Sequence, residues 1–431
     1  MFRPIIVDSL KDYNRKQLLN DISSGLIVGI VAVPLCIAFA IATGVSPEKG
    51  LITAFIASII VALMGGCRFQ IMGPTGAFAV ILIGVVQKHG LEGLATATLM
   101  AGAMQIIMGL LRLGSVVKFI PYPVVIGFTG GVAAIIFTLQ IRDLVGFSVS
   151  SPAAGFVGKW VEFVRGVPQL NWHALILSAV GVLIMILWPR VNRRVPGALV
   201  AILASVAIAR IFGLNVETVG SRFGDIPSAF PLPVMPNFDY AVVMSLFLPA
   251  LSIALLGSIE GLLSATVADE MSGTKHRSNM ELSAFGVANM LSPLFGGIAA
   301  TGAVARTAAN IRSGGRTPIA AISHAFVLLL VVLCLGQWVK LIPLCALAAV
   351  LAMVAYGMSE WRKFAAVLKR PPGDAAVLLT TFTLTLLVNL TVAVFAGGAL
   401  AAILFIFKKI RTPQTKAARA QRDAVVTEKD A

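Results

Sequence analysis

Gln70 to Val80 reads QIMGPTGAFAV, and Pro293 to Arg306 reads PLFGGIAATGAVAR. Each stretch opens on glycine and proline that resist helix, then passes into a run too short to span a bilayer. Residues 74–87 and 303–312 would cover about 21 Å and about 15 Å at 1.5 Å per residue, against a hydrocarbon core of roughly 30 Å. Irregular backbone at that depth is tolerated only inside protein or beside a water-filled cavity, so the pattern predicts two half-helices that start in mid-membrane.

The two stretches also echo each other. TGAFAV begins at Thr75 and TGAVAR at Thr301, an offset of 226 residues (301 − 75). That offset carries residues 91–111 onto 317–337 and sets Pro34 opposite Glu260. The rest of the chain fits a membrane setting. Of its 431 residues, 58% are hydrophobic and only 12% charged, against roughly 45–50% and 25% in soluble domains. An aqueous globule, a fibrous protein and a disordered chain are thereby excluded. Apolar runs broken by Gly, Pro or charge give about fourteen candidate spans. They lie near 25–42, 50–66, 74–87, 91–111, 122–141, 172–188 and 197–213, then 245–268, 281–298, 303–312, 317–339, 341–358, 374–389 and 391–407. Seven spans followed by seven make an odd-numbered repeat, whose second copy must be inserted upside down. The expected fold is an all-α integral membrane protein, a 7+7 inverted repeat with half-helices at segments 3 and 10.

The formal charge of +15 reports topology rather than nucleic-acid binding, because the basic residues sit between apolar blocks without an aromatic-interleaved patch. With the N-terminus inside, 25 of the 34 Lys and Arg fall in inside segments, eight fall outside, and Arg306 stays in the membrane. That bias predicts an even number of spans with both termini cytoplasmic. The first apolar run starts after about 24 residues without a small-residue cleavage pattern, which argues against a removable signal peptide. Cys36, Cys67, Cys334 and Cys345 lack metal-ligand spacing and read as small core residues.

Half-helix N-termini present unpaired N–H groups and roughly half a positive charge, so an anion is the expected ligand. The candidate donors are the amides around Thr75, Gly76 and Ala77 and around Gly302, Ala303 and Val304, with the Thr75 and Thr301 hydroxyls as adjustable partners. Arg306, one turn beyond, would add fixed charge behind them; an intramembrane Arg needs a partner or a wet cavity. Glu260 is the carboxylate set inside an otherwise apolar span and is a functional candidate for the same reason, either coupling an ion or neutralising Arg306. Ser264 follows one turn later on the same face. With free carbonyls of a broken helix the pair would make a Na⁺ site; desolvated, the carboxylate would carry H⁺. Pro34 kinks the first span and frees a carbonyl, and Phe39 beyond it is a candidate pocket wall. His89, His173 and His276 fall in loops or at span ends, and His324 has no partner readable in the sequence. No nucleophile, base and orienting group share one region, so an enzyme is not expected and no cofactor is implied beyond Na⁺ as a coupling ion.

PLCIAFAIATGVSPEKGL (Pro34 to Leu51), GPTGAF (Gly73 to Phe78), the acid Glu260 and ATGAVARTAANIRSGGRTP (Ala300 to Pro318) together resemble the SulP (sulfate permease) anion transporters, in order and across the membrane domain. The resemblance implies UraA-like core and gate domains. Segments 1–4 (25–111) and 8–11 (245–339) would form a core carrying the ligand between segments 3 and 10. It would move as an elevator against a gate of segments 5–7 (112–244) and 12–14 (340–407). Residues 1–24 and 408–431 would be cytoplasmic, in a bacterial inner membrane, without the STAS domain that usually follows in the family. Pro-Leu at residues 34–35 and Ala305 before Arg306 remove polar groups from the pocket, which favours bicarbonate over sulfate. The expected activity is anion transport coupled to Na⁺ or H⁺ through Glu260. A dicarboxylate/H⁺ symporter and a chloride/bicarbonate exchanger are the alternatives within the family, and an anion channel or a nucleobase carrier those outside it. A homodimer is the assembly the resemblance suggests.

Overall fold

The computed structural model describes residues 3–11, 13–114, 121–147, 155–192, 195–227, 229–236, 239–388, 392–393 and 395–404. The expected tail, 408–431, lies outside them, as do Arg193 and Arg194 of the charge count. Helices make up most of the described chain: α1 (Ile5–Ser9), α2 (Arg15–Thr43), α3 (Pro47–Met64), α4 (Gly76–Leu110), α5 (Tyr122–Val145), α6 (Gly155–Gly166), α7 (Trp172–Val191), α8 (Gly197–Ile211), α9 (Val219–Phe223), α10 (Tyr240–Ser272), α11 (Ser278–Leu294), α12 (Val304–Arg312), α13 (Ile319–Cys334), α14 (Gly336–Val339), α15 (Leu344–Met358), α16 (Trp361–Leu368), α17 (Pro372–Leu387) and α18 (Phe395–Leu404). The short strands β1 (Met72–Gly73) and β2 (Thr301–Gly302) interrupt them at the two sites where the sequence resists helix.

Each apolar run of the sequence falls on helix, the last one as far as it is described. The third and fourth runs differ from expectation in one respect: α4 carries both, bent at Gly90, whose φ of 67° and ψ of −165° break the helical ladder between them. Seven helical stretches are long and apolar enough to cross a bilayer, namely α2, α3, α4, α5, α7, α10 and residues 344–368; α8, α13, α17 and α18 are shorter apolar helices. Polar caps mark the ends. Asn14 and Gln17 form a capping box at the start of α2, Asn171 caps α7 and Asp239 caps α10, each supplying acceptors for first-turn N–H groups. Helix α6 lies between expected spans, and its bulky apolar face carries Trp160 and Phe163.

The chain divides into two compact units. In the larger, residues 1–119 and 133–357, α11 packs on α4 and α3, α13 on α2 and α3, and α10 on α4. Its core includes Met72, Leu282 and Phe285, each fully buried. In the smaller, 120–132 and 358–431, Ile126, Val367 and Leu378 pack with Phe364, whose ring meets Phe382 edge-on at 5.2 Å. Three of the four cysteines are buried. Cys334, expected in the core, is exposed at the last residue of α13.

Candidate functional site

The site is built where helix stops. β1 and β2 run antiparallel, with Met72 opposite Gly302 and Gly73 opposite Thr301, so the two half-helices that follow, α4 and α12, leave the pair in opposite directions with their N-termini turned toward it. A backbone crossing at that depth must have its polar groups satisfied by protein, and buried side chains do this. Asn289 accepts from Ala300 N at 2.8 Å and donates to Ala300 O at 3.0 Å, while Gln105 holds its amide at 2.9 Å. Thr53 Oγ1 accepts from Ile298 N, Ser292 Oγ donates to Ile298 O, and Ser58 Oγ donates to Met72 O. On the other lead-in, Thr307 Oγ1 accepts from Ile71 N, Asn310 donates to Phe69 O, and Gln70 Nε2 donates to Gly261 O at 3.2 Å. None of these scaffold residues was singled out in the sequence, although a buried amide in an apolar span is the signal that would have found Gln105 and Asn289.

Glycine is required at the crossing. A Cβ on Gly302 would lie 1.6 Å from Gln70 Nε2 and 3.0 Å from Gly261 Cα. One on Gly73 would lie 2.6 Å from Arg306 Nη1.

Thr75 is the N-cap of α4 and Ala303 that of α12, an offset of 228 (303 − 75) rather than the 226 of the TGA motifs. At 228, Gly73 corresponds to Thr301, its own partner across the β1–β2 pair. The two threonines are therefore not equivalent. Thr75 Oγ1 donates to Glu260 Oε2 at 3.1 Å. Thr301 sits in β2, fully buried, with its hydroxyl donating to Gly257 O at 2.7 Å, which removes it as an adjustable partner. The Ala303 N–H is likewise engaged, on Ile71 O at 2.9 Å. The N–H groups of Gly76, Ala77 and Phe78 and of Val304, Ala305 and Arg306 have no acceptor among the described residues.

Arg306 lies in the first turn of α12, not one turn beyond it. It is 3% exposed, donates from Nη2 to Pro74 O at 2.8 Å, and sets Nη1 3.5 Å from Cys36 Sγ. Among the described residues it has no carboxylate partner, and Glu260 does not neutralise it. The guanidinium thus bridges from α12 to the lead-in of α4, placing its charge behind both tips. Phe39, buried in α2, lies one turn beyond Cys36 and so shares its face. Ser264 does not join Glu260; its hydroxyl donates to Thr307 Oγ1 at 3.1 Å. His324 is buried with neither ring nitrogen bonded.

Two discontinuous helices that oppose their N-termini inside an apolar helical protein are the architecture of a membrane transporter. A model of the sulfate permease family matches residues 18–381, and the chain belongs to that family. It is 43% identical over 397 residues to a putative sulfate transporter, YvdB, of Bacillus subtilis, covering 92% of this chain and 75% of the relative. It is 34% identical over 407 residues to the bicarbonate transporter BicA of a Picosynechococcus species, covering 91% and 70%. Among solved structures, the transmembrane domain of a cyanobacterial BicA superposes with a TM-score of 0.79 at 31% identity, over 90% of this chain and 98% of that one. The structure of SLC26A9 shares the fold, at a TM-score of 0.86 and 19% identity over 94% and 68%.

Proposed function

We propose that the protein is a secondary active transporter that carries a small inorganic anion across the bacterial cytoplasmic membrane, with bicarbonate favoured over sulfate. Six unpaired first-turn amides, three from each of the two half-helices that start from the β1–β2 pair, carry this reading; the Arg306 charge behind them reinforces it. Such a tip binds anions without a dedicated cationic side chain in contact. The absence of a hydroxyl at Ala305 and of an amide at Leu35 leaves fewer donors than a dianion with four oxygens would use.

Glu260 is the proposed coupling group. Its carboxylate holds the Thr75 hydroxyl at the rim of α4, so ion or proton loading at Glu260 acts on a residue adjoining the anion amides. Na⁺ would take the carboxylate and nearby hydroxyl and carbonyl oxygens, whereas H⁺ would take the carboxylate alone. In the proposed elevator, residues 25–111 and 245–339 move against 112–244 and 340–407. The dense side-chain-to-backbone ties among α3, α4, α10, α11 and α12 support treating the first pair as one body.

Uptake of labelled bicarbonate and sulfate into proteoliposomes, under an imposed Na⁺ or H⁺ gradient, tests the reading. The expected result is concentrative bicarbonate uptake driven by one of the gradients. Flux that only dissipates an anion gradient would point instead to a channel.

A further inference from the structure

Away from the half-helix tips, the end of α5 meets the start of α7, the residues between α8 and α9, α9 itself and the start of α15 around a cavity of about 350 Å³. That volume falls in the range of small-molecule sites. Its charged wall is unevenly paired. Arg222 alone holds both carboxylates, donating to Asp143 at 2.8 and 3.2 Å and to Glu217 at 2.6 and 2.8 Å. Arg142 lies close enough for its charge to act on Glu217 but makes no hydrogen bond to either carboxylate. Its Nε is buried without a hydrogen-bond partner, and it forms no ion pair among the described residues.

A cation in the last turn of a helix ordinarily serves the terminal carbonyls, but at α5 these already have donors. Gly146 N donates to Arg142 O at 2.8 Å, Ser178 Oγ to Leu144 O at 2.8 Å, and Asn171 N to Val145 O at 3.0 Å. The Arg142 guanidinium is therefore free to serve the cavity. The apolar part of the lining is Phe147, Ala174, Val216 and Leu344. Behind Phe147 stands Phe163 of α6, with ring centroids 6.4 Å apart, and Trp160 backs that ring in turn at 6.0 Å.

One unpaired guanidinium facing an aromatic-backed apolar wall selects a ligand of matching form. Asp143 and Glu217 also line the cavity but are held by Arg222, which leaves a ligand's ammonium no free carboxylate and a dianion no second free cation. We propose that this cavity is a second ligand site, separate from the half-helix tips, that binds a small monocarboxylate with an apolar body. The carboxylate pairs with Arg142 in the fork geometry guanidinium favours, and the body lies against Phe147 and Leu344.

The test is a calorimetric titration of phenylacetate into the full chain in nanodiscs, with empty nanodiscs subtracted and acetate and phenethylammonium as comparison probes. Phenylacetate is expected to bind, acetate at least about tenfold more weakly for want of buried apolar area, and phenethylammonium not at all. Arg142→Gln should weaken phenylacetate at least about tenfold, the usual loss for a charged hydrogen-bonded pair. Ala174→Leu, which fills the apolar wall and touches no charge, should weaken it as well, and decides the matter should Arg142→Gln not fold. Arg306→Gln should leave phenylacetate binding unchanged. The proposal is overturned by absence of binding to the wild-type chain, by wild-type affinity in folded Arg142→Gln or Ala174→Leu, or by loss of binding in Arg306→Gln, which would put the ligand at the tips.

Discussion

Replacing Arg306 by glutamine removes the positive charge beside the half-helix tips while keeping a polar side chain of lesser reach. The guanidinium is 2.8 Å from the Pro74 carbonyl, and Pro74 precedes the first residue of α4 by two positions. At about 3.8 Å per residue, the charge stands about 7 Å from where the free amides converge. For unit charges at that distance and an effective dielectric near 20, the attraction is about 2.4 kcal/mol, or about 50-fold in Kd. Counter-charge and residual water reduce this, so the expected loss of anion affinity is between about tenfold and about 50-fold. The assay is bicarbonate titration of purified Arg306→Gln and wild-type chains at fixed pH, with thermal unfolding alongside to establish that the variant is folded. The freed Pro74 carbonyl should lower stability by about 1–3 kcal/mol. A folded variant whose affinity stays within about twofold of wild type would refute the claim that Arg306 supplies field to the site.

Three further outcomes are expected. Glu260→Gln should retain anion binding but lose gradient-driven accumulation in proteoliposomes, and full concentrative uptake by that variant would remove Glu260 from coupling. Thr75→Val should shift the coupling-ion dependence of uptake, whereas Thr301→Val, which loses only a bond to a helix carbonyl, should lower the unfolding temperature and leave that dependence in place; equal effects would restore the symmetry of the two TGA motifs. Hydrogen bonds from Arg222 hold Glu217 below the usual carboxylate range despite partial burial. A folded-state pKa below the unfolded one gives stability that is present above the ordinary carboxylate pKa and fades as pH falls through the depressed value. Acid unfolding of wild type should therefore carry a component that Arg222→Gln lacks, read by thermal unfolding between pH 6 and pH 3, about the carboxylate range.

The helices were legible in the sequence because apolar length is a strong signal, and so were the two breaks, because QIMGP and PLFGGIAATG resist helix. The unpaired amides of Gly76, Ala77 and Val304 followed from those breaks. What the sequence hid was register and reach. The repeat of TGA suggested equivalent threonines, yet the second half-helix starts two residues later against its motif, since β2 takes Thr301 and Gly302 to pair with β1. A motif reports residue identity, while the start of a helix depends on which N–H groups the facing strand has already taken. Arg306 was expected one turn beyond the tips and lies in the first turn of α12, and its bond to the Pro74 carbonyl depends on a contact 232 residues away in sequence. Asn289 and Gln105 escaped notice because each looks like an isolated polar residue until Ala300 is brought beside it.

The central claim is that the paired tips themselves hold the transported anion. Solid-state NMR dipolar recoupling between ¹³C-bicarbonate and ¹⁵N-alanine amides in the reconstituted chain, with Ala77 and Ala305 assigned, measures this directly. Dephasing at both alanines, corresponding to carbon-to-nitrogen separations of about 3.5–4 Å for an N–H···O contact, is the predicted result. Bound bicarbonate with no coupling to either amide would contradict it.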